Sequence, residues 1–200
     1  MTLPENIQAV EQLGIDRMGF ILYPPSPRYL ASPPSYLPTT CKRVGVFVNE
    51  TKERIKEQIE RFQLTTVQLH GSESPNDCKE IKSLGVEVIK VFSIAEEKDV
   101  KQTHNYKGIC DYFLFDTKSE QKGGSGRTFP WEVLNAYHGE TPFLLSGGLS
   151  TAHLTALRAF SHPQLVGYDL NSCFETAPGI KDTDLLATFL QELKGSNKKI

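Results

Sequence analysis

The stretch whose reading decides the fold is residues 114–129, LFDTKSEQKGGSGRTF. An apolar run, YFLF at 112–115, ends in a carboxylate, Asp116. Three glycines, Gly123, Gly124 and Gly126, then mark a polar loop, and Thr128, Phe129, Pro130 and Trp131 open a helical pattern. A buried strand that ends in an acid and runs into a glycine loop is how α/β proteins present catalytic groups. The same residues also fit a plain loop whose acid caps the next helix. The stretch by itself leaves both readings open.

Working outward, the alternation of apolar run and helical pattern recurs on both sides. Residues 17–23 (RMGFILY), 43–48 (RVGVFV), 66–70 (TVQLH) and 86–92 (VEVIKVF) read as strands upstream. Residues 142–145 (PFLL) and 165–170 (LVGYDL) do so downstream, and with 110–115 the strands number seven. A helix is expected over 4–13, where Ile7, Val10 and Leu13 share a face and Gly14 stops the chain. Another is expected over 51–62, capped by Thr51, with Ile55, Ile59 and Phe62 inward. Helices follow over 75–84, 130–137, 151–160 and 182–193, with shorter patterns near Ser35 and over 96–103. Residues 171–181 read as an irregular loop around Pro178-Gly179.

Short strands, apolar on both faces and separated by helices, form a parallel sheet covered by helices. So many regular βα units favour a closed barrel over an open sheet. No GxGxxG follows an early strand, which argues against a dinucleotide-binding sheet. The expectation is α/β, a (β/α)8 barrel in one domain over residues 1–200. Seven βα units are visible, and the first strand is missing, because the sequence starts inside a helix.

Composition narrows the class. Hydrophobic residues make up 38% and charged residues 23% of the 200, as in ordinary globular domains. The net charge of −2 leaves no electrostatic footprint for nucleic acid or an anionic membrane. No apolar run approaches the roughly 18 residues that span a bilayer. The acidic, amphipathic start MTLPENIQAVEQL is unlike a signal peptide, and the basic residues from Lys194 on read as a solvated tail. Cys41, Cys78, Cys110 and Cys173 are scattered without CxxC spacing, which points away from zinc or disulfides and towards a cytoplasmic protein. An oligomer stays open.

In barrels of this kind the active site lies at the C-terminal ends of the strands. The polar residues there are Arg28, Asn49, Gln68 with His70, Lys90, Asp116, Gly147 with Gly148, and Asp169 with Asn171 and Ser172. Ser146-Gly147-Gly148 precedes a helical pattern, and bare glycine N–H groups at a helix start suit a phosphate. Asn171 and Ser172 add donors one strand later. The bland alternative for the pair is a tight turn. Arg28, held among prolines in PPSPR, fits a two-pronged carboxylate clamp, or a surface guanidinium stacked on Tyr29. His70 fits a base or donor as well as a structural histidine. Lys90 alternates with apolar neighbours and is expected to point into the barrel, paired or on an anion. Cys173 reads as packing or as a reactive thiol.

Together these residues resemble the phosphoribosylanthranilate isomerase family of tryptophan biosynthesis. The resemblance spans nearly the whole chain. It is carried in family order by MGFILYPPSPRYL, RVGVFVN, VQLHG, VIKVF, LFDTKSEQKGGSGRTFPW, LLSGGL and DLNSCFETAPGIKD. It implies a (β/α)8 barrel, an Amadori rearrangement of a phosphoribosylated anthranilate, a small phosphorylated substrate and no cofactor or metal. By the resemblance Asp116 is the general acid on the ribose ring oxygen, and Arg28 holds the anthranilate carboxylate. Gly147, Gly148, Asn171 and Ser172 bind phosphate, and His70 and Asp169 line the pocket.

The same resemblance exposes two departures. The family's DxSSG element reads Asp169-Leu170-Asn171-Ser172-Cys173 here. The family also opens on a Lys-x-Cys-Gly strand whose cysteine is the general base, and Met1 aligns just after that glycine. The expectation is therefore a chain low in activity or inactive, with Cys173 the one substitute thiol. The other readings are a degenerate, non-catalytic barrel that binds phosphorylated ligands, or another phosphate-binding barrel enzyme. A metal-dependent epimerase is disfavoured because only His70 stands at a strand end.

Overall fold

Seven short strands carry the architecture: β1 Arg17–Ile21, β2 Lys42–Phe47, β3 Thr66–Leu69, β4 Glu87–Ile94, β5 Tyr112–Thr117, β6 Phe143–Ser146 and β7 Leu165–Tyr168. The computed structural model describes residues 1–117 and 131–194. The glycine loop after Asp116 and the basic tail beyond Lys194 lie outside the described residues. The strands run parallel and pair in sequence order, β1-β2-β3-β4-β5-β6-β7. The helices are α1 Pro4–Glu11 before β1, then α2 Lys52–Phe62, α3 Pro75–Lys82, α4 Glu97–Val100 and α5 Leu154–Ala159 between strands, and α6 Thr183–Lys194 at the end. The result is a barrel-type α/β fold.

Side-chain alternation along each strand sorts residues between two layers. Val44, Ile89, Val91 and Leu114 pack on the inner face, with Leu144 and Tyr112 against them. The alternate residues Phe47, Leu69, Phe113, Phe115 and Phe143 pack outward beneath the helices. Aromatic edges meet faces there, with Phe92 and Phe113 at 5.1 Å and Phe115 and Tyr137 at 5.2 Å between ring centroids. The expected Thr51 cap forms, and a second cap appears before α3. Thr51 Oγ1 accepts from the Arg54 N–H, and Ser74 and Asp77 form a reciprocal box that starts α3.

The sheet curls until both edge strands face one cavity of about 250 Å3. Gly19 and Ile21 of β1, Val166 and Gly167 of β7, and residues of α1 and α6 line it. Among the described residues β1 and β7 do not pair with each other. Other contacts bridge them. The Met1 amine donates to the Gly19 carbonyl at 2.9 Å, and the Thr2 N–H to the Gly179 carbonyl at 3.1 Å. The Asn6 side chain brackets the Lys181 backbone, donating at 2.9 Å and accepting at 2.8 Å.

Several expected helices shorten. Residues 96–103 become α4 plus a 3-10 helix Lys101–Tyr106, and 130–137 becomes the 3-10 helix Trp131–Ala136. Residues 151–160 split into a 3-10 turn Thr151–His153 and α5. No helix forms near Ser35, where Pro33, Pro34 and Pro38 remove donors and bias their neighbours to extended backbone. Residues 171–181 are more ordered than expected. A 3-10 turn Ser172–Phe174 leads into an antiparallel hairpin, β8 Glu175–Ala177 and β9 Ile180–Lys181. Gly179 makes its turn at φ +82°, a backbone that side chains rarely adopt.

The helix-free segment after β1 is held by one acid. Glu11 of α1 accepts from the Tyr36 hydroxyl at 2.5 Å, the Thr39 and Thr40 N–H groups at 2.6 Å and the Thr40 hydroxyl at 2.8 Å. Burial pushes its carboxyl up, but these donors outweigh that and bring the pKa to about 2, from an ordinary 4.5. A lowered pKa stabilises the fold fully above the ordinary value, and the contribution is lost as the pH falls through about 2. Glu11→Gln should cost about 2 kcal/mol in urea unfolding at pH 7, in line with charged hydrogen bonds. The gap between wild type and variant should shrink as the pH falls below 4.5. A gap that stays constant down to pH 2 would contradict this account.

Candidate active site

The inward positions at the C-terminal ends of the strands form one tier. Asp116 on β5 stands in register with Ser93 on β4 and Ser146 on β6. Two residues along from the inward Leu114, it faces the same side. His70 leaves β3 beside it, with its Nε2 3.8 Å from Asp116 Oδ2. Gln68 donates to His70 Nδ1 at 3.4 Å, which leaves the ring proton of a neutral imidazole on Nε2, towards the acid. Asp169 follows β7 and accepts from the Ser146 hydroxyl at 3.1 Å. Burial pushes the Asp169 carboxyl above its usual range, more than the Ser146 bond and the charges of Lys181 and His70 draw it down.

The two turns expected to hold phosphate come together. Gly147 and Gly148 turn at φ +108° and +64° after β6, and the Cys173 thiol donates to the Gly148 carbonyl at 3.5 Å. Asn171 and Ser172 stand beside them after β7. Beyond Gly148 the chain enters the 3-10 turn Thr151–His153 rather than a regular helix. The Ser150 N–H donates to His153 Nδ1 at 3.1 Å. A cation that sequence reasoning missed joins the two turns. The Lys181 ammonium, nearly buried, donates to the Asn171 carbonyl and to its side-chain Oδ1, each at 3.0 Å. Burial lowers the Lys181 pKa, more than the carboxylates of Glu175 and Asp169 raise it.

Arg28 lines the cavity from the loop after β1. It is not stacked on Tyr29. Its Nε reaches both Glu175 oxygens, at 3.0 and 2.9 Å, and its Nη2 reaches Oε2 at 2.6 Å. Glu175, too, was missed in the sequence. The chain signal was Pro178-Gly179, a hairpin turn that folds Glu175 and Lys181 back against each other.

Lys90 corrects an expectation. Ile89 and Val91 take the inward positions of β4, so Lys90 points outward beneath the helices. Its ammonium donates to Glu73 at 3.0 Å, to the Leu69 and Val91 carbonyls at 3.2 Å and to the Gly71 carbonyl at 2.8 Å. With both side chains at most 5% exposed, this is a structural pair. Cys173 is exposed and does not line the cavity. Among the described residues no cluster of three or more His, Cys, Asp or Glu side chains is placed to hold a metal. No helix among them is long and apolar enough to cross a membrane.

Residues 3–192 match the family model described as N-(5'phosphoribosyl)anthranilate (PRA) isomerase. The chain belongs to this isomerase family. The N-(5'-phosphoribosyl)anthranilate isomerase of Phocaeicola vulgatus is 54% identical over 97% of this chain and 95% of its own. A solved phosphoribosyl anthranilate isomerase of Thermotoga maritima superposes with a TM-score of 0.80 at 32% identity, covering 98% of this chain and 96% of that one. Another such enzyme, solved with reduced 1-(o-carboxyphenylamino)-1-deoxyribulose 5-phosphate, gives a TM-score of 0.80 at 30% identity, covering 98% and 95%. Neither a degenerate, non-catalytic barrel nor a loss of activity draws support from these relatives.

Proposed function

We propose that the cavity isomerises N-(5'-phosphoribosyl)anthranilate to its 1-deoxyribulose 5-phosphate product, an Amadori rearrangement in tryptophan biosynthesis. The observation that carries this reading is the arrangement of charge around one acid. Asp116 stands beside His70, which lines a cavity with the Arg28 guanidinium, Asp169, Asn171 and Lys181, and the glycine turn lies next to the Asn171–Cys173 turn. The substrate has the matching form, a carboxylate at one end, a phosphate at the other and a ring oxygen between. The ligand in the related complex carries the same two anionic ends.

Asp116 donates its proton to the ribose ring oxygen as the C1–O bond breaks, leaving an iminium at C1. The His70 Nε2–H faces the same carboxyl group and orients it. A base then removes the C2 proton, the electrons move to the nitrogen, and the enol so formed becomes the 2-ketone. Arg28 orients the aromatic ring through its carboxylate. Gly147, Gly148, Asn171 and Ser172 anchor the phosphate, and Asp169 fixes the Ser146 turn beside them. Asp116→Asn should lower kcat by about 10²–10⁴-fold, the ordinary worth of a general acid. A kcat within about threefold of wild type would remove Asp116 from that role.

The base belongs, on this reading, to an eighth parallel strand seated between β1 and β7. Three features support it: among the described residues the two edges are unpaired with each other, the cavity runs between them, and the Met1 amine meets the Gly19 carbonyl as a strand N–H would. Preceding Met1 with about six residues ending Lys-Val-Cys-Gly, one ordinary strand, should raise turnover by about 10²–10⁴-fold. Changing the added cysteine to serine should abolish the gain. Equal turnover with and without the extension would contradict the strand and its base.

A further inference from the structure

We propose that Glu175 is a positioning residue that aims Arg28 at the substrate carboxylate, itself held in place by Lys181 and the β8–β9 hairpin. The inference rests on Arg28 being the carboxylate clamp of the proposed function and extends it to residues outside the chemistry.

A guanidinium offers two donor edges, one side-on through Nε and Nη2, the other end-on through Nη1 and Nη2. Glu175 takes the side-on edge with three short bonds. Among the described residues no bond ends on Nη1, and Arg28 keeps 21% of its side chain exposed where it lines the cavity. The end-on edge is thus left to bind a ligand carboxylate in two-pronged fashion.

Glu175 is itself immobile. Its side chain is only 4% exposed. Its Oε1 accepts from the Gly179 N–H at 3.2 Å and from Lys181 Nζ at 3.3 Å, so protein donors occupy both oxygens. Burial pushes its carboxyl up, but Arg28 and Lys181 outweigh that and hold it below the usual range, so it stays charged. A Cβ on Gly179 would come within 2.6 Å of the Thr2 side chain, so the hairpin turn is also fixed against the segment before α1. Two cations and one carboxylate leave one positive charge, suited to a single anionic group. An arginine on a free loop loses its rotamer freedom when the ligand binds. Here that loss is taken on folding, which favours binding.

A carboxylate that only blocked Arg28 would give the opposite behaviour, because removing it would tighten binding. The experiment uses the full chain, calorimetry and two probes: reduced 1-(o-carboxyphenylamino)-1-deoxyribulose 5-phosphate and its phenylamino counterpart without the carboxyl. Wild type should prefer the carboxylated probe, and Arg28→Met should erase the preference. Glu175→Gln should weaken the carboxylated probe on the order of tenfold, the size of a misaligned charged hydrogen bond, and leave the other unchanged. Added to Arg28→Met, it should have no further effect. Glu175→Asp, which keeps the charge but falls one methylene short, should behave alike and serves if Glu175→Gln does not fold. Equal weakening of both probes, or tighter binding of the carboxylated one, would overturn the inference. A preference that survives Arg28→Met would instead overturn the role of Arg28 as the clamp.

Discussion

The ion pair between Arg28 and Glu175 joins two parts of the chain 147 residues apart, the exit of β1 and the hairpin after β7. A parallel sheet is stable when both faces are covered and its strands are paired. Here, among the described residues, the two edge strands do not pair, so the curl depends on what spans them. Arg28 and Glu175 do so near the strand ends, with the Thr2–Gly179 and Asn6–Lys181 backbone contacts beside them. Burying two opposite charges is favourable only with good geometry and filled lone pairs. Three bonds from Arg28 and two further donors on Glu175 meet that condition. The constraint that holds the curl thus also orients a cavity-lining cation.

The remaining chemistry is set by strand parity. Side chains alternate with a period of two, so a residue reaches the cavity only in phase with the inner core. Asp116 is in phase with Leu114, and Gln68 and His70 share the inward phase of β3. Lys90 is one residue out of phase with Ile89 and Val91, and that places its ammonium on Glu73 under the helices instead of in the cavity. Two charged residues on neighbouring strands therefore face opposite sides, Asp116 inward with Leu114 and Lys90 outward, where it ties the β3–α3 loop to the barrel wall.

The strands were legible because each is a short apolar run bounded by glycine, proline or polar residues. Thr51 was legible as a cap because capping is local, set by one hydroxyl beside the first helical residues. The cavity-lining residues His70, Arg28 and Asp169, and Asp116 beside His70, could be found from strand ends alone, once a barrel was expected. Lys90 could not be placed, because both faces of a buried parallel strand are apolar and the phase is hidden. The order of residues 171–181 was missed because its strands, ETA and IK, are too short to show a period. Glu175 and Lys181 look like surface charges in sequence, and only the fold makes them each other's partners and neighbours of Arg28 and Asn171. The 3-10 segments read as helices because their apolar spacing suits either form over so few residues.

The central claim is that one ligand spans Arg28 and the turns after β6 and β7, with its reactive carbons beneath Asp116. The most direct measurement is a crystal structure of the protein with reduced 1-(o-carboxyphenylamino)-1-deoxyribulose 5-phosphate bound. The account predicts the ligand carboxylate on the end-on edge of Arg28, with Glu175 still on the other edge. It also predicts the phosphate on the N–H groups of the Gly147-Gly148 and Asn171-Ser172 turns, and the ribulose chain passing Asp116. A ligand bound with its phosphate elsewhere, or with Asp116 out of reach of the sugar, would contradict it.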